Sequence, residues 1–272
     1  MLFNFSRRQF CGGWAKLLAF FPMIGGTPLM NGDSKEKVEK ESPLSDLVVA
    51  NHILAAKEVV DGYGHVSVRD PGNPNRYLLA RSMAPALVTA SDIMTFDLES
   101  NPVGGDARQS YIERFIHGEI YRVRPDVQAI VHCHSPELIP FGATGVAMRP
   151  LYHMTAFMNP GVPVYEIRDF RAPSDKSMLV HNRELGQALA HVLADKSALL
   201  MRGHGGVLVA STLPQVVGRS VYLKINAEMQ SEALALGRTI NYLEPGEDAG
   251  PTVSSFGRDW DVWKVEAESD DE

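Results

Sequence analysis

A single α/β domain, a sheet flanked by helices with tails at both ends, is what this sequence predicts. Three observations carry that expectation. The chain has 272 residues, 44% of them hydrophobic, which is enough for one large core and ordinary for a globular protein. From Ser45 onward, helix-periodic segments alternate with short apolar, β-branched runs, the pattern of a layered mixed fold. No internal repeat is visible, and biased composition is confined to the ends.

Taken in order, SDLVVANHILAAKEVVDGYG offers Ser45 as an N-cap, apolar residues at spacings of three and four, and a stop at Asp61 and Gly62, predicting a helix. HVSVRD then alternates, PGNPN turns, and YLLAR completes an antiparallel hairpin. IMTFDL is a further strand, closed by NPVGG. RQSYIERFIHGEIYRVRPD sets Ile112, Phe115, Ile116, Glu119 and Ile120 around a helix that Arg124 and Pro125 end. It feeds directly into QAIVHCH, an apolar strand. PVYEI reads as a strand, RELGQALAHVLAD as a helix, and SALLMRGHGGVLVA as two short strands broken by glycines. LPQVVGRSVYLKINAEMQSEALALG closes the series as a long helix with Gly237 as its natural stop.

The formal charge of -7 leaves no basic footprint for nucleic acid. Part of the acid excess is the terminal EAESDDE, which reads as a solvated tail. Two cysteines, Cys11 and Cys133, exclude a disulfide framework, so stability rests on the core. The N-terminus is of another character: SRRQF at 6–10 resembles a twin-arginine motif, and a short apolar stretch containing Lys16 and then a charged segment follow it. That stretch is too short for a stable membrane span. We therefore expect a leader and polar linker over 1–42, a folded domain over 43–246 and a C-terminal extension with an acidic tail over 247–272. The leader implies periplasmic location by twin-arginine export, with cytoplasmic location the alternative if it is cryptic.

The chemistry centres on VHCHSPELIPFGATG, Val131 to Gly145. In a strand, residues two apart share a face, so His132 and His134 face one side and Cys133 the other. Two neutral imidazoles so placed suit a divalent metal, although on this pair alone two unrelated polar residues at a strand end fit equally well. A third ligand is offered by His204 in RGHGG, where flanking glycines permit a tight turn or a close approach; a solvent-facing turn histidine is the alternative. Glu113 and His117 stand four apart before the HxH strand and share one helical face. If that face meets the strand, Glu113 is a metal-bound carboxylate or a general base; otherwise it is a surface residue balanced by Arg114 or Arg122.

Taken together, Glu113, HCH nineteen residues later and RGHG after a strand-helix-strand interval resemble the class II aldolase/adducin family over roughly residues 45–242. The resemblance implies an α/β/α sandwich around a mainly antiparallel sheet, assembled as a homotetramer with active sites between subunits. It implies His132, His134 and His204 as metal ligands and Glu113 as the catalytic carboxylate and a further ligand. Zinc is the expected metal, with manganese, cobalt or iron as alternatives.

The phosphate-holding elements of the family's sugar-phosphate aldolases are replaced here. GYGHVSVR has His65 at an asparagine position, ARSMAPALVTASD replaces a TPSG-like loop, and Tyr111-Ile112 replaces a pair of serines before Glu113. A phosphate needs several donors in a compact nest, so a non-phosphorylated substrate is expected. GHVSVR, the RSxAPxLVT loop, ERFIHGEIY, HSPxxIPFG and LMRGHG resemble instead the family's decarboxylases of carboxylated aromatic diols. The resemblance implies a metal-dependent carbon–carbon lyase, by aldol cleavage or decarboxylation, acting on a hydroxy-carbonyl compound or a dihydroxy-aromatic carboxylate. His65, Arg81 and Ser82 are candidate substrate-binding residues. Tyr152 and His153 are candidate proton donors, in a segment that resembles one reaching the neighbouring subunit's site. The alternatives are an adducin-like scaffold without catalysis and a metal-dependent isomerase or dehydratase.

Overall fold

Leu47, Ala50, Ile53 and Leu54 recur at helical spacing, and all four are buried in α1, Pro43–Ala56, the first element of a computed structural model that describes residues 43–269. The expected leader, including SRRQF, lies outside the described residues. Helix α1 ends earlier than the periodicity predicts. Glu58 adopts a left-handed φ of 55°, and the amides of Val59 and Val60 both turn back to the Leu54 carbonyl. The remaining residues to Asp61 form a turn.

Strands β1, His65–Arg69, and β2, Arg76–Ala80, pair as the expected antiparallel hairpin, and β3, Ile93–Asp97, adds to β2. Helix α2 covers only Phe115–Val123, because Ile112–Arg114 forms a 3-10 turn in which Glu113 has non-helical φ and ψ of -85° and 15°. Glu113 is thus set by a turn, and the helix that was expected to carry both Glu113 and His117 carries only His117. Strand β4, Ala129–Cys133, follows, and α3, Ile139–Thr144, lies beyond it. The predicted strand PVYEI shrinks to β5, Val164–Tyr165, at the sheet edge. Helix α4, Arg183–Leu193, starts on an Asn182 side chain that accepts the Leu185 amide. Strands β6, Ala198–Met201, and β7, Gly205–Ala210, form the hairpin broken by RGHG. Helix α5 runs Leu213–Ala235, and Gly237 at φ 62° follows its end as expected.

The seven strands lie in the order β3-β2-β1-β4-β7-β6-β5, antiparallel except for the parallel β5–β6 pair. Helix α2 packs with α4, while α1 packs with α5, and α5 lies against β4 and β7. Central strand β4 is buried at every residue, which is why it reads as a continuous apolar run and not as an alternation.

The C-terminal segment adds α6, Gly250–Ser254, and α7, Gly257–Ser269. Trp260 and Ala267 are buried, α7 packs on α1 and α5, and Lys57 pairs with Glu266 at 2.7 Å. The residues EAES, expected to be solvated tail, are therefore the last turn of α7. No helix among the described residues is long and apolar enough to cross a membrane.

Candidate metal centre and substrate pocket

Strand register assembles the site. His65 stands opposite His132 across β1 and β4, and Cys133 opposite Gly206 across β4 and β7. The β6–β7 hairpin closes on the Met201–Gly205 pair, leaving His204 in its turn, beside the end of β4 where His134 emerges. The close approach requires Gly205: a Cβ built there would lie 1.9 Å from the Cys133 carbonyl oxygen. Gly203, with φ 62°, supplies the left-handed residue of the turn.

Glu113, His132, His134 and His204 each direct one ligand atom into a common space, with all four atoms within 4.8 Å of one another. His134 Nε2 lies 3.2 Å from His132 Nε2 and 3.1 Å from His204 Nε2. Glu113 Oε2 lies 3.3 Å from both His132 Nε2 and His204 Nε2. Every ring has its other nitrogen on an obligate acceptor. Nδ1–H of His132 donates to the Gly206 carbonyl at 3.1 Å, that of His134 to Asp61 Oδ1 at 3.0 Å and that of His204 to the Met178 carbonyl at 3.0 Å. A neutral imidazole has one proton, so three Nε2 lone pairs and a carboxylate oxygen face one another without a proton between the rings. Such a set is repulsive unless a cation sits among it. Four ligands at about 2.0–2.1 Å from a tetrahedral ion lie roughly 3.3–3.4 Å apart, close to the four separations of 3.1–3.3 Å given above. The donors fit a divalent metal.

Glu113 is buried, and its Oε1 accepts the Val180 amide at 2.8 Å. Burial pushes its carboxyl up, but His132 and His204 outweigh that effect and hold it well below the usual carboxylate range. Burial alone would lower His204, yet the adjacent Glu113 draws it up, so protons compete with a metal for that nitrogen. Burial and the neighbouring His132 lower His134.

Two groups of partners escaped the sequence reading. Asp61 was legible only as a helix stop, yet its Oδ1 accepts the Tyr63 and Gly64 amides and orients His134. The 178–180 segment holds His204 and Glu113 through backbone atoms, which no side-chain signature announces. Outer-sphere partners typically carry about 10–100-fold in metal affinity. Asp61→Ala is therefore expected to weaken zinc binding by about that factor in a chelator competition, and Asp61→Asn, which keeps an acceptor oxygen, by less. Equal affinity in Asp61→Ala and the wild-type protein would remove Asp61 from this role.

A cavity of about 300 Å³ adjoins the cluster, lined by Tyr63, His65, Ser82, Gln109, Tyr111, Ile112, Glu113, His134 and Leu179. Of the expected substrate-binding residues, His65 and Ser82 line it. Arg81 does not; its Nε donates to Asp92 at 2.7 Å. Tyr111, which in the sequence stands only as a replacement for a serine, lines the pocket, and its hydroxyl donates to the Met83 carbonyl. Tyr152 and His153 lie apart from the cluster within one chain. His153 lines another cavity with Phe256 and Asp259, and Tyr152 packs beside Tyr222.

The sequence from 45 to 231 matches the model of the Class II Aldolase and Adducin N-terminal domain. The chain belongs to this class II aldolase and adducin family. Among the family's proteins, the decarboxylase tropJ of Talaromyces stipitatus is 34% identical over 251 residues, covering 84% of this chain and 94% of that protein. The 3,4-dihydroxyphthalate decarboxylase of Arthrobacter keyseri is 30% identical over 220 residues, covering 75% and 83%. The L-fuculose 1-phosphate aldolase of Glaciozyma antarctica superposes with a TM-score of 0.66 at 22% identity, covering 83% and 88% of the two chains. That likeness bears out the expected class II aldolase fold with its mainly antiparallel sheet.

Proposed function

We propose that the protein is a metal-dependent carboxy-lyase acting on a non-phosphorylated aromatic carboxylate with an adjacent hydroxyl pair. The observation that carries this reading is the pocket beside the histidine cluster. Tyr63, Tyr111, Ile112 and Leu179 offer flat and apolar walls, and no lysine or arginine is among the described lining residues. A phosphate would find no side-chain cation there, whereas a ring would be well accommodated. The similarity to two decarboxylases supports the same reaction class.

His132, His134, His204 and Glu113 would hold the ion, which supplies a Lewis acid that stabilises negative charge on substrate oxygen. Glu113, anchored through Oε1 by the Val180 amide, has Oε2 left to serve as a ligand or, where substrate takes that place, for proton transfer. In the proposed sequence, a substrate hydroxyl proton passes to Glu113. The ionised oxygen pushes electron density to the carboxylate-bearing ring carbon, which takes the proton back from Glu113, giving a ring ketone. The bond to the carboxylate carbon then breaks, its electron pair restoring the aromatic ring and returning the charge to the ring oxygen as carbon dioxide leaves. A proton from water restores the hydroxyl. The apolar walls exclude water from the charge-bearing carbon. Assembly as a homotetramer belongs to this proposal, supported by the exposure of Tyr63 and Ile112 at the pocket. Location in the periplasm is likewise proposed, on SRRQF alone.

Carbon-13 NMR of zinc- or manganese-loaded protein with carboxyl-labelled dihydroxybenzoates and dihydroxyphthalates is the test. Labelled carbon dioxide is the expected product. An aldehyde and ketone pair from hydroxy-carbonyl compounds, with the aromatic acids untouched, would replace decarboxylation by aldol cleavage.

A further inference from the structure

Behind His65, a row of buried polar groups runs away from the pocket. His65 Nδ1 lies 2.7 Å from His117 Nε2, His117 Nδ1 lies 2.6 Å from Ser67 Oγ, and Ser67 Oγ lies 2.9 Å from the Tyr121 hydroxyl. All four side chains are buried. None of them belongs to the four-residue cluster that would hold a metal. A sheet–helix interface needs no such row, because each buried polar group costs free energy unless it is partnered.

Each neutral ring and each hydroxyl has a single proton, so the hydrogen bonds must all run in one direction. In one arrangement, Tyr121 donates to Ser67, Ser67 to His117 Nδ1 and His117 Nε2–H to His65 Nδ1, which leaves the His65 proton on Nε2. In the reverse arrangement, the His65 proton is on Nδ1 and Tyr121 must donate elsewhere. Its other acceptor is the Gln128 carbonyl, 3.5 Å away, beyond the usual range for a hydroxyl donor. The first arrangement places the Tyr121, Ser67 and His117 protons in hydrogen bonds of 2.6–2.9 Å and leaves only the Nε2 proton of His65, a ring that lines the pocket, whereas the reverse leaves the proton of the fully buried Tyr121. His65 Nε2 has no hydrogen-bond partner among the described residues, and His65 lines the pocket. With Nδ1 committed to His117, it is the Nε2 edge that is left for a ligand.

We propose that Ser67 and His117 are positioning residues that hold His65 in its Nε2–H tautomer, so that His65 donates a hydrogen bond to an anionic oxygen of the substrate, a carboxylate or phenolate. The identity of that oxygen rests on the proposed function, whereas the tautomer rests on the hydrogen-bonded row alone. A fixed donor admits an acceptor oxygen and penalises a substituent that can only donate. Tyr121 serves as the terminal donor, and its loss leaves Ser67 still able to donate to His117.

Two-bond proton–nitrogen correlation spectra of zinc-loaded, ¹⁵N-histidine-labelled protein without substrate read the tautomer directly. The His65 signal is assigned by its loss in His65→Asn. A proton on Nε2 is expected in the wild-type protein, in Tyr121→Phe and in Ser67→Thr, which keeps the hydroxyl. In Ser67→Ala the single tautomer should be lost, the KM for a carboxylate substrate should rise about tenfold, and zinc stoichiometry should be unchanged. A wild-type proton on Nδ1, or a folded Ser67→Ala with the wild-type tautomer, overturns the proposal. The wild-type spectrum decides the tautomer even if a variant fails to fold. Because it needs no turnover, Nδ1–H with carbon dioxide release defeats the positioning role alone, and Nε2–H without release defeats only the proposed reaction.

Discussion

Glu113→Gln in the metal-loaded protein is expected to lower turnover by about 10²–10⁴-fold, the range for loss of a positioned acid/base group. The substitution retains an oxygen for the Val180 amide, which Glu113 Oε1 accepts at 2.8 Å. It therefore places the amide NH₂ where Oε2 stands, 3.3 Å from His132 Nε2 and His204 Nε2. There it donates to the lone pairs that a metal needs, so metal affinity should fall as well. The fold should persist, because a buried carboxylate is replaced by a neutral group of the same shape. Single-turnover rates at saturating metal, with melting temperature measured in parallel, check this. Turnover near the wild-type value in the loaded Glu113→Gln protein would exclude Glu113 from proton transfer and leave it a ligand only.

The second large effect is structural. Gly205→Ala would bring a Cβ to 1.9 Å from the Cys133 carbonyl oxygen, 2.9 Å from its carbonyl carbon and 3.0 Å from His134 Cα. All three atoms are backbone, so relief requires β7 to move away from β4. Overpacking costs about 1–3 kcal/mol and sometimes more, and a backbone clash this deep belongs at the upper end. The same displacement separates His204 from His134, whose Nε2 atoms stand 3.1 Å apart, so metal affinity should fall together with stability. Gly203→Ala is the control. A Cβ at Gly203 meets nothing within 4 Å, but φ is 62°, and left-handed strain costs about 1–2 kcal/mol for one residue. Urea denaturation and zinc titration of both variants should rank Gly205→Ala as the more damaging in each measurement. An equal or milder effect for Gly205→Ala would contradict the tight β4–β7 contact.

Much of the site was legible because its signals are local. HCH at the end of an apolar strand predicts two imidazoles on one face, and although β4 ends at Cys133 the Nε2 atoms of His132 and His134 do meet at 3.2 Å. The glycines of RGHGG announced the turn that carries His204. The helix expected to join Glu113 to His117 begins only at Phe115, after a 3-10 turn, for a physical reason. Apolar periodicity continues through Tyr111–Phe115, but periodicity does not distinguish a 3-10 turn from the first turn of an α-helix. The C-terminal EAES reads as tail because its charges outweigh a single alanine. Ala267 is nevertheless buried, and Trp260 and Trp263 earlier in α7 pack on the core.

The sequence by itself determined the alternation of helices and strands and the spacing of the three histidines and Glu113, since these depend on residue type and short spacing, while the replacement of phosphate-holding residues follows from the resemblance to the sugar-phosphate aldolases. Only the tertiary structure decided that Asp61 orients His134, that backbone atoms of 178–180 hold His204 and Glu113, and that His117 turns toward Ser67 and His65. Those partners are far apart along the chain or are main-chain atoms common to every residue. Strand register, not composition, sets their distances.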